Sequence, residues 1–242
     1  MQSLSLTGLF LFSIILSLAL PAGTVSASNE TTSGTITGTE TWAGVHTLTG
    51  DVTIAPGAKL IINPGATIEF PNGTHLDVRG SLCAGVASCG ASSNAGPAMR
   101  INLRWSEPIN ASATGECYGM SYGNQEIWIA DPSCSEGVLM RSSIDLAETG
   151  LRYVTFDSAW GIPQYVAAVG EFRYGALVLD GASPTLTELS FNQINTSSVL
   201  TTNLAQPSFN GGDFAVGIDA NTGIVGAALQ IYSSGSSVSP FS

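Results

Sequence analysis

Carboxylates and arginines are the residues of this 242-residue chain best suited by type to acid–base chemistry. Asp157, Asp180, Asp213 and Asp219 recur near the ends of short apolar runs, and Arg152 and Arg173 lie in the same region. Carboxylates hold a cation or a general-acid proton, and a basic group abstracts a proton or neutralises charge. The spacing is not that of a catalytic set, because no close Asp-Asp or Asp-x-x-Asp pair occurs among them. An isolated Asp after a short strand is an ordinary corner residue, since its side chain bonds its own main chain. His46 and His75 are the two histidines, and both precede this region. The sequence has no G-x-S-x-G elbow, H-E-x-x-H pair, P-loop, dinucleotide fingerprint or EF-hand loop. These residues therefore assign no catalytic position, no metal and no cofactor.

Cys83, Cys89, Cys117 and Cys134 form an even set without C-x2-C spacing. In an exported chain such a set predicts two disulfides, and of the three connectivities the local pairs Cys83–Cys89 and Cys117–Cys134 are preferred. Aromatic rings concentrate in 158–175, where Trp160, Tyr165, Phe172 and Tyr174 could stack on sugar rings or cover exposed scaffold. Asn29, Asn72, Asn110 and Asn195 each begin an N-x-S/T sequon.

The elements that position these residues are set by a beat of eight. In DVTIAPGAKLIINPGATIEFPNGTHLDV (51–78), Gly57, Gly65 and Gly73 are evenly spaced. Val52, Leu60, Ile68 and Leu76 fall in one apolar column, and Ile54, Ile62, Phe70 and Val78 in a second. Each block holds a short strand whose outer two side chains face one way. The middle residues, Thr53, Ile61, Glu69 and Asp77, face the other way, towards solvent. Pro-Gly between strands suits a type II turn, whereas tight hairpins take the mirror-image turns. The turns are therefore corners, and three blocks make a coil of about 24 residues that stacks on the next through parallel pairing.

LRYVTFDS (151–158) and LTELSFNQ (186–193) repeat one pattern, as do ALVLDG (176–181) and AVGIDA (215–220). Together with TWAGVHTLTGDVTIAPGAKLIINPGATIEFPNGTHLDVRGSL (41–82), these segments resemble secreted right-handed parallel β-helix proteins of the pectate-lyase-like superfamily. The resemblance implies an all-β solenoid with three short strands per coil and loop insertions. It implies a scaffold, and no catalytic residue of those enzymes carries over to a matching position.

Residues 1–27 read as a secretory signal peptide, with an apolar run at 4–20 and small residues before position 28. The expected organisation is a polar lead-in at 28–40, a β-helix domain at 41–232 with excursions at 83–135 and 158–175, and a Ser-rich tail at 233–242. With 18 acidic against 7 basic residues and a net charge of −11, the chain is unsuited to nucleic acid or to anionic membranes. The expected role is a noncatalytic secreted or cell-surface scaffold that binds extracellular polysaccharide or a surface protein. A polysaccharide lyase or glycoside hydrolase, and a purely structural envelope protein, are the alternatives.

Overall fold

The computed structural model describes residues 30–106, 120–122, 125–127, 135–194, 196–214 and 228–232. The leader at 1–27, Asn29, Asn110, Cys117, Cys134, Asn195, AVGIDA and the tail lie outside the described residues.

The chain is nearly all β, and it visits three parallel ladders in the same order. The first visit is β1 (Gly34–Ile36), β2 (Thr39–Trp42) and β3 (Val45–Thr47), and the second is β4 (Val52–Ile54), β5 (Lys59–Ile62) and β6 (Thr67–Phe70). The third is β7 (His75–Val78), β8 (Ser81–Ala84) and β9 (Ile101–Trp105). A separate antiparallel pair, β10 (Met120–Tyr122) and β11 (Gln125–Ile127), follows. The ladders resume with β12 (Gly137–Arg141), β13 (Gly150–Arg152) and β14 (Val154–Asp157). Next come β15 (Ile162–Val166), β16 (Glu171–Asp180), β17 (Thr185–Asn192), β18 (Ser197–Thr202), β19 (Ser208–Asp213) and β20 (Leu229–Ile231).

Ladder one runs β1-β4-β7-β12-β16-β18-β20. Ladders two (β2-β5-β8-β13) and three (β3-β6-β9-β14) share one sheet, because the long strand β17 continues both. This parallel arrangement is consistent with a β-solenoid.

The register follows the sequence columns. Val52 pairs with Leu76 and Ile54 with Val78, at the expected offset along the chain, and all eight residues of the two columns are buried. The repeat at 151–158 and 186–193 stacks likewise, with Leu151 on Leu186 and Phe156 on Phe191. The corners at Gly57, Gly65 and Gly73 have φ of 78°, 80° and 71°, as the Pro-Gly reading requires, and Ala58 N–H closes the first by donating to Ala55 O at 3.0 Å.

Parallel stacking places like side chains on like. Inside ladder three Phe70 stacks on Trp105 with centroids 4.4 Å apart, and Phe156 on Phe191 at 4.8 Å. Trp105 links the two pairs at 6.4 Å, and Phe191 passes the stack to Phe214 at 5.5 Å. The indole N–H of Trp105 donates to Thr74 O at 2.8 Å, so its one polar atom is satisfied inside the core.

Two expected boundaries move. The lead-in at 28–40 already contains β1 and the start of β2; their polar sequence hides the ladder because only Ile36 and Trp42 are buried there. The excursion at 83–135 is interrupted by β9, a ladder strand whose Ile101, Leu103 and Trp105 alternate inward. The first visit is closed by Glu30–Thr32. His46 occupies an inward position, stacks on Trp42 at 4.3 Å and meets the Glu30 carboxylate at 2.6 Å, while Thr31 N–H donates to Glu40.

Phe156 is fully buried at the middle of the aromatic stack, so Phe156→Ala is expected to cost about 3–5 kcal/mol, read as a lowered urea midpoint. The exposed Thr47→Ala should stay within about 0.5 kcal/mol of wild type. A Phe156→Ala loss below about 1 kcal/mol would contradict a stack that holds successive rungs together.

Candidate functional site

Outward side chains decide where a ligand can lie, and the outward apolar side chains of two ladders are covered. On ladder two, Ile61 and Cys83 point outward and pack with Val86, Cys89 and Ala91 of the loop that follows β8. The Cys83–Cys89 disulfide pins that loop, with Cα atoms 5.8 Å apart. On ladder one, Leu139, Val178 and Leu200 point outward and pack with Ile162 of β15. The expected excursion at 158–175 is thus a β15–β16 hairpin laid against the scaffold.

Among the described residues, ladder three is open. Its outward column runs Thr47, Glu69, Arg104, Asp157, Asn192 in register. Along the end of this column lies an open groove of about 910 Å³, lined also by Pro71, Ser106, Ser158 and Gln193. Glu69 accepts from Thr47 Oγ1 at 2.9 Å, and Arg104 Nε lies 3.8 Å from Asp157. Ser158 and Gln193 stand in register at the corner, with φ of 63° and 51°, and the Ser158 hydroxyl donates to Gln193 Oε1 at 3.1 Å. Positive φ at residues other than glycine costs on the order of 1–3 kcal/mol each, and such strain concentrates at functional sites. Asn72 is exposed beside the groove, with its side-chain oxygen accepting from Ser106, so a glycan on it would flank the groove mouth.

The carboxylates singled out in the sequence separate. Asp157 lies in the groove, while Asp180 lies on ladder one, held by Arg141 at 3.3 Å and by Thr202. Arg141 also reaches Asp77, which Arg79 grips at 2.8 Å; the pair explains why Asp77, expected in solvent, is buried. Arg152 belongs to ladder two and does not meet Asp180. Arg173 donates to the Tyr232 hydroxyl at 3.1 Å, Asp213 ends β19, and Asp219 lies outside the described residues.

Of the four expected ring residues, Tyr165 stands opposite Phe172, and Tyr174 opposite Pro163. The period of two then puts Pro163, Tyr165, Phe172 and Tyr174 on one face of the hairpin, with Ile162 and Val166 buried on the other. Tyr165 is 54% exposed and meets Phe172 edge to face at 5.4 Å. Burial raises the Tyr174 hydroxyl pKa. Trp160 does not join them; it is buried, and its carbonyl accepts from Thr196 at 2.6 Å.

Sequence reasoning missed Glu136. It is fully buried, and its carboxylate accepts from Gly73 N–H and Trp160 N–H, each at 2.9 Å, joining the Gly73 corner to the root of the hairpin. Burial pushes its pKa up from 4.5 to about 7, against the pull of the two N–H donors. The folded state therefore binds a proton that the unfolded chain releases between those values. This contribution is fully present below about pH 4.5 and is lost as pH rises through 7. It amounts to about 3 kcal/mol at most. The urea midpoint is expected to fall between pH 5 and pH 8, and Glu136→Gln should flatten that slope. A midpoint that rises over this range in the wild type and is unaffected by the substitution would exclude the assignment.

Comparison with protein-family models, with curated proteins and with solved structures finds no match for this chain.

Proposed function

We propose that the chain is an exported right-handed parallel β-helix of the pectate-lyase-like kind, with three short strands per coil, that binds an extracellular polysaccharide without cleaving it. The observation that carries this reading is the open outer column of ladder three. Its side chains are polar throughout, with Glu69, Arg104 and Asp157 consecutive between Thr47 and Asn192, and they stand at the strand spacing of about 4.8 Å, which suits an extended polar chain lying across the rungs. Loop and hairpin cover the outward apolar residues of ladders one and two, and the groove lies on ladder three. The aromatic face of the hairpin, which begins four residues after the groove's Ser158, adds a surface on which sugar rings can stack. The Cys83–Cys89 bond suits an oxidising, extracellular location.

Binding without cleavage is favoured because the carboxylate that burial drives towards neutrality, Glu136, does not line the groove. A general acid needs such a shift at the reacting bond. One observation favours the hydrolase alternative. Glu69 and Asp157 stand two rungs apart on either side of Arg104, so about 9–10 Å separates their main chains, near the carboxylate separation of inverting glycosidases.

Incubating the chain with a panel of acidic and neutral polysaccharides, and recording retention and released fragments together, separates the readings. Retention without fragments is expected, and Arg104→Ala should weaken it about tenfold, or roughly 1.4 kcal/mol. Fragment release that disappears in Asp157→Asn would replace binding with hydrolysis. Failure of every polysaccharide to be retained would leave the purely structural role.

A further inference from the structure

We infer that Arg152, presented beside Tyr153 at the corner between ladders two and three, is a binding site for a tetrahedral oxyanion, a sulfate or phosphate group. The inference is independent of the polysaccharide reading of the groove.

The chain spends its few cations on its many carboxylates. Lys59 meets Glu148, Arg79 meets Asp77, Arg104 meets Asp157, and Arg141 meets Asp77 and Asp180. Arg100 and Arg152 differ: among the described residues neither has a carboxylate within ion-pair distance. Both guanidinium groups instead lie over the Tyr153 ring, at 5.5 and 5.3 Å from its centroid. Two cations gathered on one ring, in a chain of net charge −11, make a local positive centre; Glu188, the next residue in the corner stack, turns its carboxylate over Gly211 and forms no ion pair with either guanidinium among the described residues.

The donors are arranged to receive something. Arg100 is committed, with Nε donating to Thr155 Oγ1 at 3.0 Å and Nη2 to Glu188 O at 2.9 Å. Among the described residues Arg152 is anchored through Nε alone, which donates to Ala95 O at 3.0 Å. Among the described residues its two Nη groups have no hydrogen-bond partner, and neither does the Tyr153 hydroxyl. The Nη1–Nη2 edge of a guanidinium is the fork that grips two oxygens of a phosphate or sulfate. The phenol supplies a third donor, and the third oxygen of a tetrahedral ester can use it where a carboxylate has none to offer. Arg152 and Tyr153 are both half-buried, so the fork is partly desolvated and still reachable.

The corner itself is strained. Tyr153 has φ of 51°, a conformation that glycine adopts cheaply; Glu188 stands on it at φ of 53°, and only the rung after that carries glycine, Gly211. A ring is kept here in a backbone conformation that penalises it, and the ring is what orders the two guanidinium groups.

The test follows the backbone amides of Arg152 and Tyr153 by NMR while inorganic sulfate, glucosamine 6-sulfate or unsulfated glucosamine is added at constant ionic strength in chloride. Saturable shifts with inorganic sulfate and with the sulfated sugar are expected, and none with the unsulfated sugar. Equal affinities would identify a free oxyanion as ligand, and tighter binding of the sugar would identify a sulfate ester. Arg152→Gln should weaken sulfate binding at least tenfold. Because Arg152 also holds Ala95, Arg152→Lys is measured alongside it; lysine keeps the charge but loses the fork, and at least a fivefold weakening is expected. The inference is overturned if wild type shows no saturable shift with sulfate, or if whichever of these variants folds binds sulfate as wild type does.

Discussion

Parallel, in-register pairing is the constraint on which the rest depends. When one rung's main chain hydrogen-bonds the next, each side chain is carried directly over its counterpart, and an inward position must be occupied by something that packs on its own kind. Val52 on Leu76, Leu151 on Leu186 and Phe156 on Phe191 meet that demand. The aromatic stack from Phe70 to Phe214 is the same rule applied to flat rings, which gain from stacking as well as from burial.

The same rule acts on the outside, with opposite effect. Stacking carboxylates on carboxylates would be costly, and the outer column of ladder three instead interleaves sign, Glu69, Arg104 and Asp157, while on ladder one Arg141 stands opposite Asp180 and reaches diagonally to Asp77. Where apolar residues point outward, as at Ile61 or Val178, a loop or hairpin covers them. The groove is what remains when this covering stops.

The sequence made the scaffold legible because strict periodicity is a strong signal. The columns at 52–78 and the repeats at 151–158 and 186–193 stand in the ladders as read. Where the period is broken, legibility ends. β1 and β9 were hidden by polar residues or by a long preceding loop, and the hairpin at 162–175 could not place Tyr165, Phe172 and Tyr174 on one face until its register was known. The groove was invisible for a different reason. Glu69, Arg104 and Asp157 are far apart in sequence and meet only because β6, β9 and β14 are neighbours in the ladder. Glu136 gave no signal at all, since its burial comes from the Gly73 corner and the hairpin root closing over it.

The pairing of β7 with β12 carries a kinetic consequence. Val78 must find Met140 across the longest stretch of chain between adjacent rungs of ladder one, whereas Ile54 finds Val78 after a single circuit. Closing a longer span costs more chain entropy before any contact repays it. The compact block ending at Ala84 can zip by short closures and then serve as the template on which Gly137–Arg141 must land. Assembly therefore meets its steepest entropic step in the interior of the molecule, where two halves of one ladder have to be joined.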